Sequence, residues 1–430
     1  MELKKFIIKG LFGSLNHTIK FPTPTNQGTH PSLVILYGKN GVGKTTVLRM
    51  IDGLMHLDFN VFRTMPFAFC SLTFTTGDSI SVRPLLKKRN LVAIEVTFRN
   101  IKVQLHPLTP GPLNEADSPN VEIFRDTFFS LTDTINFEFI DTERLRELQQ
   151  PIREQREIDL IEHERTIAPK VILQAKQLNP KAKARIKTAS LASRVAKFIS
   201  DAQINYRTFF STTGPDLFPR IIERLTSTQA TKYNISDLRQ RLSKIHDQDQ
   251  ITERLGLESD RWDYKQLMGQ IQRLANRRGV ARQQALTVLD SYVEMLESRA
   301  AERALVAARL QTFERLISEF FVNKRVFVDP NEGLKIMTEA DKRLKEYQLS
   351  SGEFHFLFLM VAALVTRRRG TVIAIDEPEM SMHIAWQRQL ISALFECTSG
   401  AEPLFIFATH SPDIVSSYPD SKVELKLSGQ

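Results

Sequence analysis

The chain has 430 residues, 42% of them hydrophobic and 25% charged, with Lys and Arg outnumbering Asp and Glu by 58 to 49. That mix excludes a disordered, collagen-like or disulfide-stapled chain, and at roughly 150 residues per domain the length suggests two or three units. The basic surplus permits a polyanionic partner without showing one. Only two cysteines occur, Cys70 and Cys397. They form no CxxC pattern, which leaves out zinc ribbons and makes a reducing compartment the default. The start, MELKKFIIKG, lacks a signal-peptide apolar core. The longest apolar run, 354–365, contains His355 and falls short of the roughly 20 residues a membrane span needs. The expectation is a buried helix in a cytoplasmic protein with no membrane partner.

In chain order, Lys4–Ile8 and His17–Phe21 read as short strands around a Leu11-Phe12-Gly13-Ser14 turn. Leu33–Tyr37 is continuously apolar and ends at a glycine, the pattern of a strand buried on both faces. Phe67–Thr75, Leu91–Phe98 and Ile101–Leu105 alternate between turn signals and predict an antiparallel meander. From Thr142 to Phe321 helical periodicity dominates. Leu286, Leu289, Val293, Leu296 and Ala300 fall on one helix face, as do Leu310, Phe313, Ile317 and Phe320. Pro151, Pro169, Pro180, Pro215 and Pro219 break the first part of this region into shorter helices. Strands return at Arg325–Val328, Thr371–Ile375 and Leu404–Ala408, with helices from about Glu353 and after His383. The reading is an α/β domain interrupted by a helical insertion.

Gly38-Lys39-Asn40-Gly41-Val42-Gly43-Lys44-Thr45 matches G-x-x-x-x-G-K-[ST], between a strand and the helix opened by Thr46-Val47-Leu48. The glycines Gly38, Gly41 and Gly43 let backbone N–H groups of the loop, around Asn40 and on to Thr46, wrap phosphate oxygens at a helix N-terminus. Lys44 adds a charge toward the β- and γ-phosphates, and Thr45 offers a hydroxyl to Mg2+. The loop implies a nucleotide, ATP or GTP, without choosing an activity. Further on, Thr371–Ile375 ends in Asp376-Glu377-Pro378. Asp376 suits the Mg2+ shell, and Glu377 suits the general base that orients a water and takes its proton. A solvated acidic turn is the plainer alternative for these two carboxylates taken alone.

Leu349-Ser350-Ser351-Gly352-Glu353 has capping-box spacing between Ser350 and Glu353. It also resembles the signature motif of ABC-type ATPases. The ordered set of P-loop, signature, Asp-Glu-Pro and the histidine of Ala408-Thr409-His410-Ser411-Pro412 resembles the OLD/RecF/SMC-like branch of that family, as do the run from Glu377 to His383 and the segment Phe139–Arg144. The resemblance covers residues 1–145 and 325–430. It implies an α/β P-loop head, a mixed sheet with an antiparallel β-subdomain, whose two halves flank a helical or short coiled-coil insertion at 146–324. The first half carries P-loop and meander, and the second carries signature, Walker B, D-loop and switch histidine. It implies that His410 senses the γ-phosphate, and that two copies close head to head around ATP and Mg2+, with Ser350 and Gly352 acting on the facing copy. Gln149 and Gln150 are weak candidates for the family's Q-loop glutamine.

No second acidic cluster and no array of histidines follows His410. By analogy with ATPase subunits of bacterial anti-phage systems of the PARIS and Septu kind, the expectation is an ATPase in a homodimer or higher oligomer that controls a separate effector, a Toprim or HNH nuclease. A clamp on duplex DNA in repair, or an ATP-gated scaffold with little turnover, stays open. Lys170, Lys176, Lys181, Lys183, Arg185, Lys187, Arg194 and Lys197 form an acid-free basic run. It is either a solvated helix face or a contact for DNA, a DNA-mimicking phage protein or an acidic effector.

Overall fold

The computed structural model describes residues 1–22, 32–87, 90–105, 120–141, 190–213, 217–226, 234–257, 262–276 and 278–427. Residues 142–144, Gln149, Gln150, Pro151, Pro169, Pro180, Pro215 and the basic residues Lys170 through Lys187 lie outside the described residues. The chain forms two compact units, residues 1–154 with 349–430, and residues 155–348.

In the first unit, β1 (Leu3–Leu11) and β2 (Leu15–Lys20) form an antiparallel hairpin around the expected turn. The meander follows as β4 (Phe69–Phe74), β5 (Ser79–Lys87), β6 (Asn90–Phe98) and β7 (Ile101–Leu105). All pair antiparallel in the order β2-β1-β4-β5-β6-β7. The strand β5 was not among the expectations, and it carries Pro84, a residue central strands avoid. The ladder tolerates it, with a register shift one residue on, between Leu85 and Leu86. Helix α3 (Val121–Thr132), also unexpected, buries Phe124 and Phe128 against Phe98, with ring centroids 6.2 and 5.2 Å apart.

The apolar run Leu33–Tyr37 is β3. It lies beside β13 (Leu404–Ala408), which pairs with β12 (Thr371–Asp376), which pairs in turn with β8 (Asn136–Ile140). With β14 (Lys422–Glu424) on the other edge, these make a five-stranded sheet in the order β14-β3-β13-β12-β8. Every pairing in it is parallel, and its three inner strands β3, β12 and β13, covered on both faces, read as continuous apolar runs rather than alternating ones. Helix α1 (Lys44–His56), followed by α2 (Asn60–Thr64), buries Val47, Leu48, Met50, Ile51 and Leu54. These join side chains of both sheets in one core. The fold class is therefore α/β, with one parallel and one antiparallel sheet sharing that core.

The second unit holds helices α4 (Leu191–Thr213), α5 (Leu217–Thr226), α6 (Ile235–Arg254), α7 (Tyr264–Ala275) and α8 (Val280–Phe320). Both apolar stripes read from the sequence lie on the single long helix α8. Its Leu286, Val293, Leu296 and Ala300 pack with Leu238, Leu242 and Ile245 of α6 and Ile271 of α7. Pro219 sits in the first turn of α5, where a missing N–H costs nothing. An antiparallel sheet of β9 (Lys324–Asp329), β10 (Gly333–Thr338) and β11 (Arg343–Leu344) completes the unit. The sequence boundary at residue 325 groups these strands with the C-terminal half, whereas the compact units divide after Gln348. The tie is visible at Glu346, whose carboxylate accepts hydrogen bonds from the N–H groups of Leu191 (3.0 Å) and Ala192 (2.8 Å) at the start of α4.

The chain returns to the first unit with α9 (Ser351–Val365), α10 (Ile384–Cys397) and α11 (Pro412–Ser417). Helix α9 is the apolar run around His355, buried along nearly its whole length. No helix among the described residues is long and apolar enough to cross a membrane.

Candidate functional site

In a parallel sheet the loops at the carboxyl ends of the strands share one edge, and ligands bind there at switch points of strand order. Here that edge collects the motifs. The register aligns Leu36 of β3 with Ala408 of β13, Ala408 with Asp376 of β12, and Ile375 with Ile140 of β8. The P-loop leaves β3, Asp376 and Glu377 end β12, His410 follows β13, and Asp141 follows β8.

The loop itself is shaped by close packing. Gly43 is the N-cap of α1 with φ 88°, and a Cβ there would come within 2.6 Å of Leu11 Cδ2 and 3.4 Å of Phe12 Cε2. The site thus needs glycine for both conformation and space. Asn40 and Gly41 form the exposed turn of the loop, while Gly38 lies half-buried at its start. Buried His17 of β2 donates its Nε2–H to the Val42 carbonyl at 2.9 Å and fixes the loop from below. Thr46 is buried on α1.

Lys44 is buried, and its ammonium donates to the carbonyls of Gly38 (2.9 Å) and Lys39 (3.4 Å). It also lies 3.3 Å from His410 Nδ1, so residues 366 positions apart meet. Burial pushes the Lys44 pKa down, opposed by the negative charges of Glu377, Asp376 and Glu379. Asp376 is 5% exposed. Burial raises its pKa to about 6, with Glu377 and Asp141 adding to the rise, while a hydrogen bond with the Thr45 side chain and the charge of Arg49 pull it back. One carboxylate oxygen, Oδ1, is buried with no hydrogen-bond partner among the described residues. A buried carboxylate oxygen left unpaired costs free energy, and a hard cation beside the Thr45 hydroxyl would satisfy it. The donor set therefore fits Mg2+, which takes few protein oxygens and completes its shell with water and phosphate. No cluster of three or more His, Cys, Asp or Glu among the described residues forms a separate metal site.

Glu377 takes a left-handed backbone, φ 47°, and its N–H donates to the Ala408 carbonyl at 2.7 Å. A non-glycine residue in this region stores strain, and here the strained residue is the candidate base. Ser350 caps α9 in a full capping box: its N–H and hydroxyl both donate to Glu353 Oε2 (2.9 and 2.8 Å), and Glu353 N–H returns to Ser350 Oγ at 3.4 Å. Ser350 remains exposed. Gly352 packs so tightly on the turn after β12 that a Cβ would meet the Ser381 carbonyl at 2.4 Å. His355, one turn along α9, donates Nδ1–H to the Met380 carbonyl of the same turn at 2.8 Å.

Three residues here carried no role in the sequence reading. Glu379 accepts hydrogen bonds through a single oxygen from the Thr409 hydroxyl (2.7 Å), the His410 N–H (2.9 Å) and the Ser411 N–H (3.1 Å). Asp141 is buried and pairs with Arg49 of α1 at 2.9 Å. Phe12, at the tip of the first hairpin, holds an exposed ring (43%) against Gly43. Glu379 is a carboxylate two residues past Glu377, but only the parallel register of β12 with β13 brings it opposite Thr409, His410 and Ser411.

The sequence profile of the AAA ATPase domain family matches residues 1–415. No curated protein matches the chain. Among solved structures it is similar to the Smc head domain with an extended coiled coil bound to the C-terminal domain of ScpA from Pyrococcus furiosus, at 12% identity over 97% of this chain and 91% of that one, TM-score 0.38. It is also similar to the Smc head domain with a coiled coil and joint from Pyrococcus yayanosii, at 12% identity over 98% and 94%, TM-score 0.40. The SMC head domain from Thermotoga maritima matches at 11% identity over 97% and 92%, TM-score 0.33.

Proposed function

The chain belongs to the AAA ATPase domain family, and on that premise we propose that it is an ABC-type ATPase of the OLD/RecF/SMC-like branch that binds and hydrolyses ATP at the carboxyl edge of its parallel sheet. The observation that carries this is the meeting of Lys44, His410 and the Asp376–Glu377 pair around one point, with Thr45 bonded to Asp376.

The N–H groups of the loop from Gly38 to Thr46 and the start of α1 receive the phosphates. Lys44 exchanges its carbonyl partners for phosphate oxygens and neutralises their charge. Thr45 and Asp376 would hold Mg2+, which when bound offsets negative charge on the β- and γ-phosphates. Glu377 orients a water and takes its proton as the water oxygen bonds to the γ-phosphorus. The bond between that phosphorus and the bridging oxygen breaks, leaving ADP and phosphate. His410, beside Lys44, faces the γ-phosphate and reports its presence. General-base assistance of this kind is worth about 10²–10⁴-fold.

In this reading two copies face each other, and exposed Ser350 with Gly352 completes the nucleotide site of the facing copy. ATP then favours the closed pair through contacts made only there. In the same reading the helical unit between the two halves of the head contacts a separate effector, and the protein serves as the ATPase subunit of an anti-phage defence system. Support for this finer role is the motif resemblance. Co-expression with the product of the adjacent gene tests it: growth arrest that depends on Lys44 supports it, and stimulation of ATPase activity by duplex DNA alone would replace it with DNA clamping.

A further inference from the structure

The oxygen Glu379 Oε1 is the shared acceptor of three consecutive residues at the end of β13. The Thr409 hydroxyl and the N–H groups of His410 and Ser411 all point to it, at 2.7, 2.9 and 3.1 Å. The Thr409 hydroxyl also accepts the Ser411 N–H at 2.9 Å, which closes the turn on itself. The other oxygen, Oε2, is buried without a partner among the described residues. A fold seeking only stability gains nothing from leaving a carboxylate oxygen bare next to three donors. What this carboxylate achieves is positional. His410 has an exposed side chain at a strand end, a place where a backbone is free to fray, yet its ring is held 3.3 Å from Lys44 Nζ. The bonds from Glu379 are the ones that reach the His410 backbone itself. Two residues earlier on each side, the Glu377 N–H to Ala408 carbonyl bond ties the same two strand ends.

We propose that Glu379 is the positioning residue of His410: it makes the switch turn a rigid extension of the turn that carries Glu377, so that the histidine and the base keep a fixed separation while Lys44 engages phosphate. This rests on the ATPase reading above and deepens it. Glu379 touches no reacting atom; it acts through the Thr409 hydroxyl and the backbone N–H groups of His410 and Ser411.

The test uses the full chain with Glu379→Ala and Glu379→Gln. The Gln side chain keeps an oxygen that accepts the same three bonds, whereas Ala removes it. Amide hydrogen exchange over residues 409–411 is measured by mass spectrometry, alongside kcat and the Kd for ATP. In the Ala variant the amides of His410 and Ser411 exchange at least tenfold faster, and kcat falls about 10²-fold, the cost of an ångström of misplacement. Its Kd for ATP stays within about threefold, since the phosphate loop is untouched. In the Gln variant protection returns and most of kcat with it. Unchanged exchange in the Ala variant overturns the proposal. So does a Gln variant as slow as Ala, which would make the charge rather than the geometry the cause, and so does a loss confined to ATP affinity. Wild-type protein that hydrolyses no ATP would instead count against the ATPase reading, and the exchange comparison would still decide the positioning claim.

Discussion

Lys44 Nζ and His410 Nδ1 lie 3.3 Å apart, although 366 positions separate them in the chain. In the proposed reading a phosphate in the loop meets both. Substituting Lys44 by Ala removes the buried cation and is expected to weaken ATP binding by at least 100-fold. His410→Ala is expected to leave affinity nearly intact and lower kcat by about 10²–10³-fold, the usual loss for one transition-state donor. Isothermal titration with ATP and a steady-state phosphate assay separate the two. ATP affinity retained in Lys44→Ala would contradict the site.

Glu377 and Asp376 are neighbours to which the proposed function gives different tasks. Glu377→Gln keeps a side chain of the same shape without a proton acceptor. It is expected to bind ATP normally and hydrolyse it about 10²–10⁴-fold more slowly. Asp376→Asn removes the carboxylate whose Oδ1 is unpartnered, so activity is expected to need a much higher Mg2+ concentration. A magnesium titration of both variants is the measurement. An unchanged requirement in Asp376→Asn would remove it from the metal shell.

Phe12 presents an exposed ring beside Gly43 at the mouth of the loop. An aromatic face there suits a nucleobase, and stacking of one base is worth about 1–3 kcal/mol. Phe12→Ala is expected to weaken ATP by roughly 5- to 150-fold while leaving inorganic triphosphate unaffected. Competition binding with both ligands tests this, and equal weakening of the two would show that the ring only supports the loop.

How much of this was readable beforehand follows from where each signal resides. The strands β3, β12 and β13 were legible because burial on both faces leaves uninterrupted apolar runs. The phosphate loop stood out by its glycine motif, Asp376 and Glu377 by the end of an apolar run, and His410 by the family resemblance; the parallel sheet gathers all four at one edge. Glu379 was not legible, since its partners Thr409, His410 and Ser411 come from a different strand and only parallel register brings them opposite. The strand β5 carries Pro84, a residue central strands avoid, and β10 was masked by its short, polar-interrupted sequence after the Gly333 turn. Asp141 gained its meaning only when pairing of β8 with β12 put it beside Asp376.

In the second unit, Arg303 and Asp249 form a buried ion pair at 2.7 Å, and the Trp262 indole N–H donates to the other Asp249 oxygen at 2.8 Å. Breaking a buried ion pair by removing one member costs about 3–5 kcal/mol. Asp249→Ala is therefore expected to lower unfolding stability by that amount. The double substitution Asp249→Leu with Arg303→Met recovers much of it. Urea unfolding followed by circular dichroism checks both, and an Asp249→Ala effect under about 1 kcal/mol would contradict the burial argument.

Acid sensitivity has a definite sign. Burial holds the His17 pKa below its usual value, despite the bond to the Val42 carbonyl. The unfolded chain therefore takes up this proton first as the pH falls. Stability from neutral His17 is present above about 6.5 and is lost on acidification, by up to about 1.4 kcal/mol per pH unit. Asp376, raised to about 6, acts oppositely below that pH, because the native form takes its proton earlier than the unfolded one. Melting temperatures between pH 7.5 and 5 are expected to fall less steeply in His17→Gln than in the wild type. Identical slopes would contradict the assignment.

Completion of the nucleotide site by a second copy, as proposed above, is tested most directly by complementation. A Lys44→Ala chain has a dead phosphate loop but an intact Ser350, whereas a Ser350→Arg chain has the reverse. Neither is expected to hydrolyse ATP alone. In a 1:1 mixture half of the dimers pair unlike chains, and each of these holds one whole site, so the rate is expected to reach about a quarter of the wild-type value. A Ser350→Arg chain that hydrolyses ATP at full rate, or a mixture as silent as its components, would contradict it.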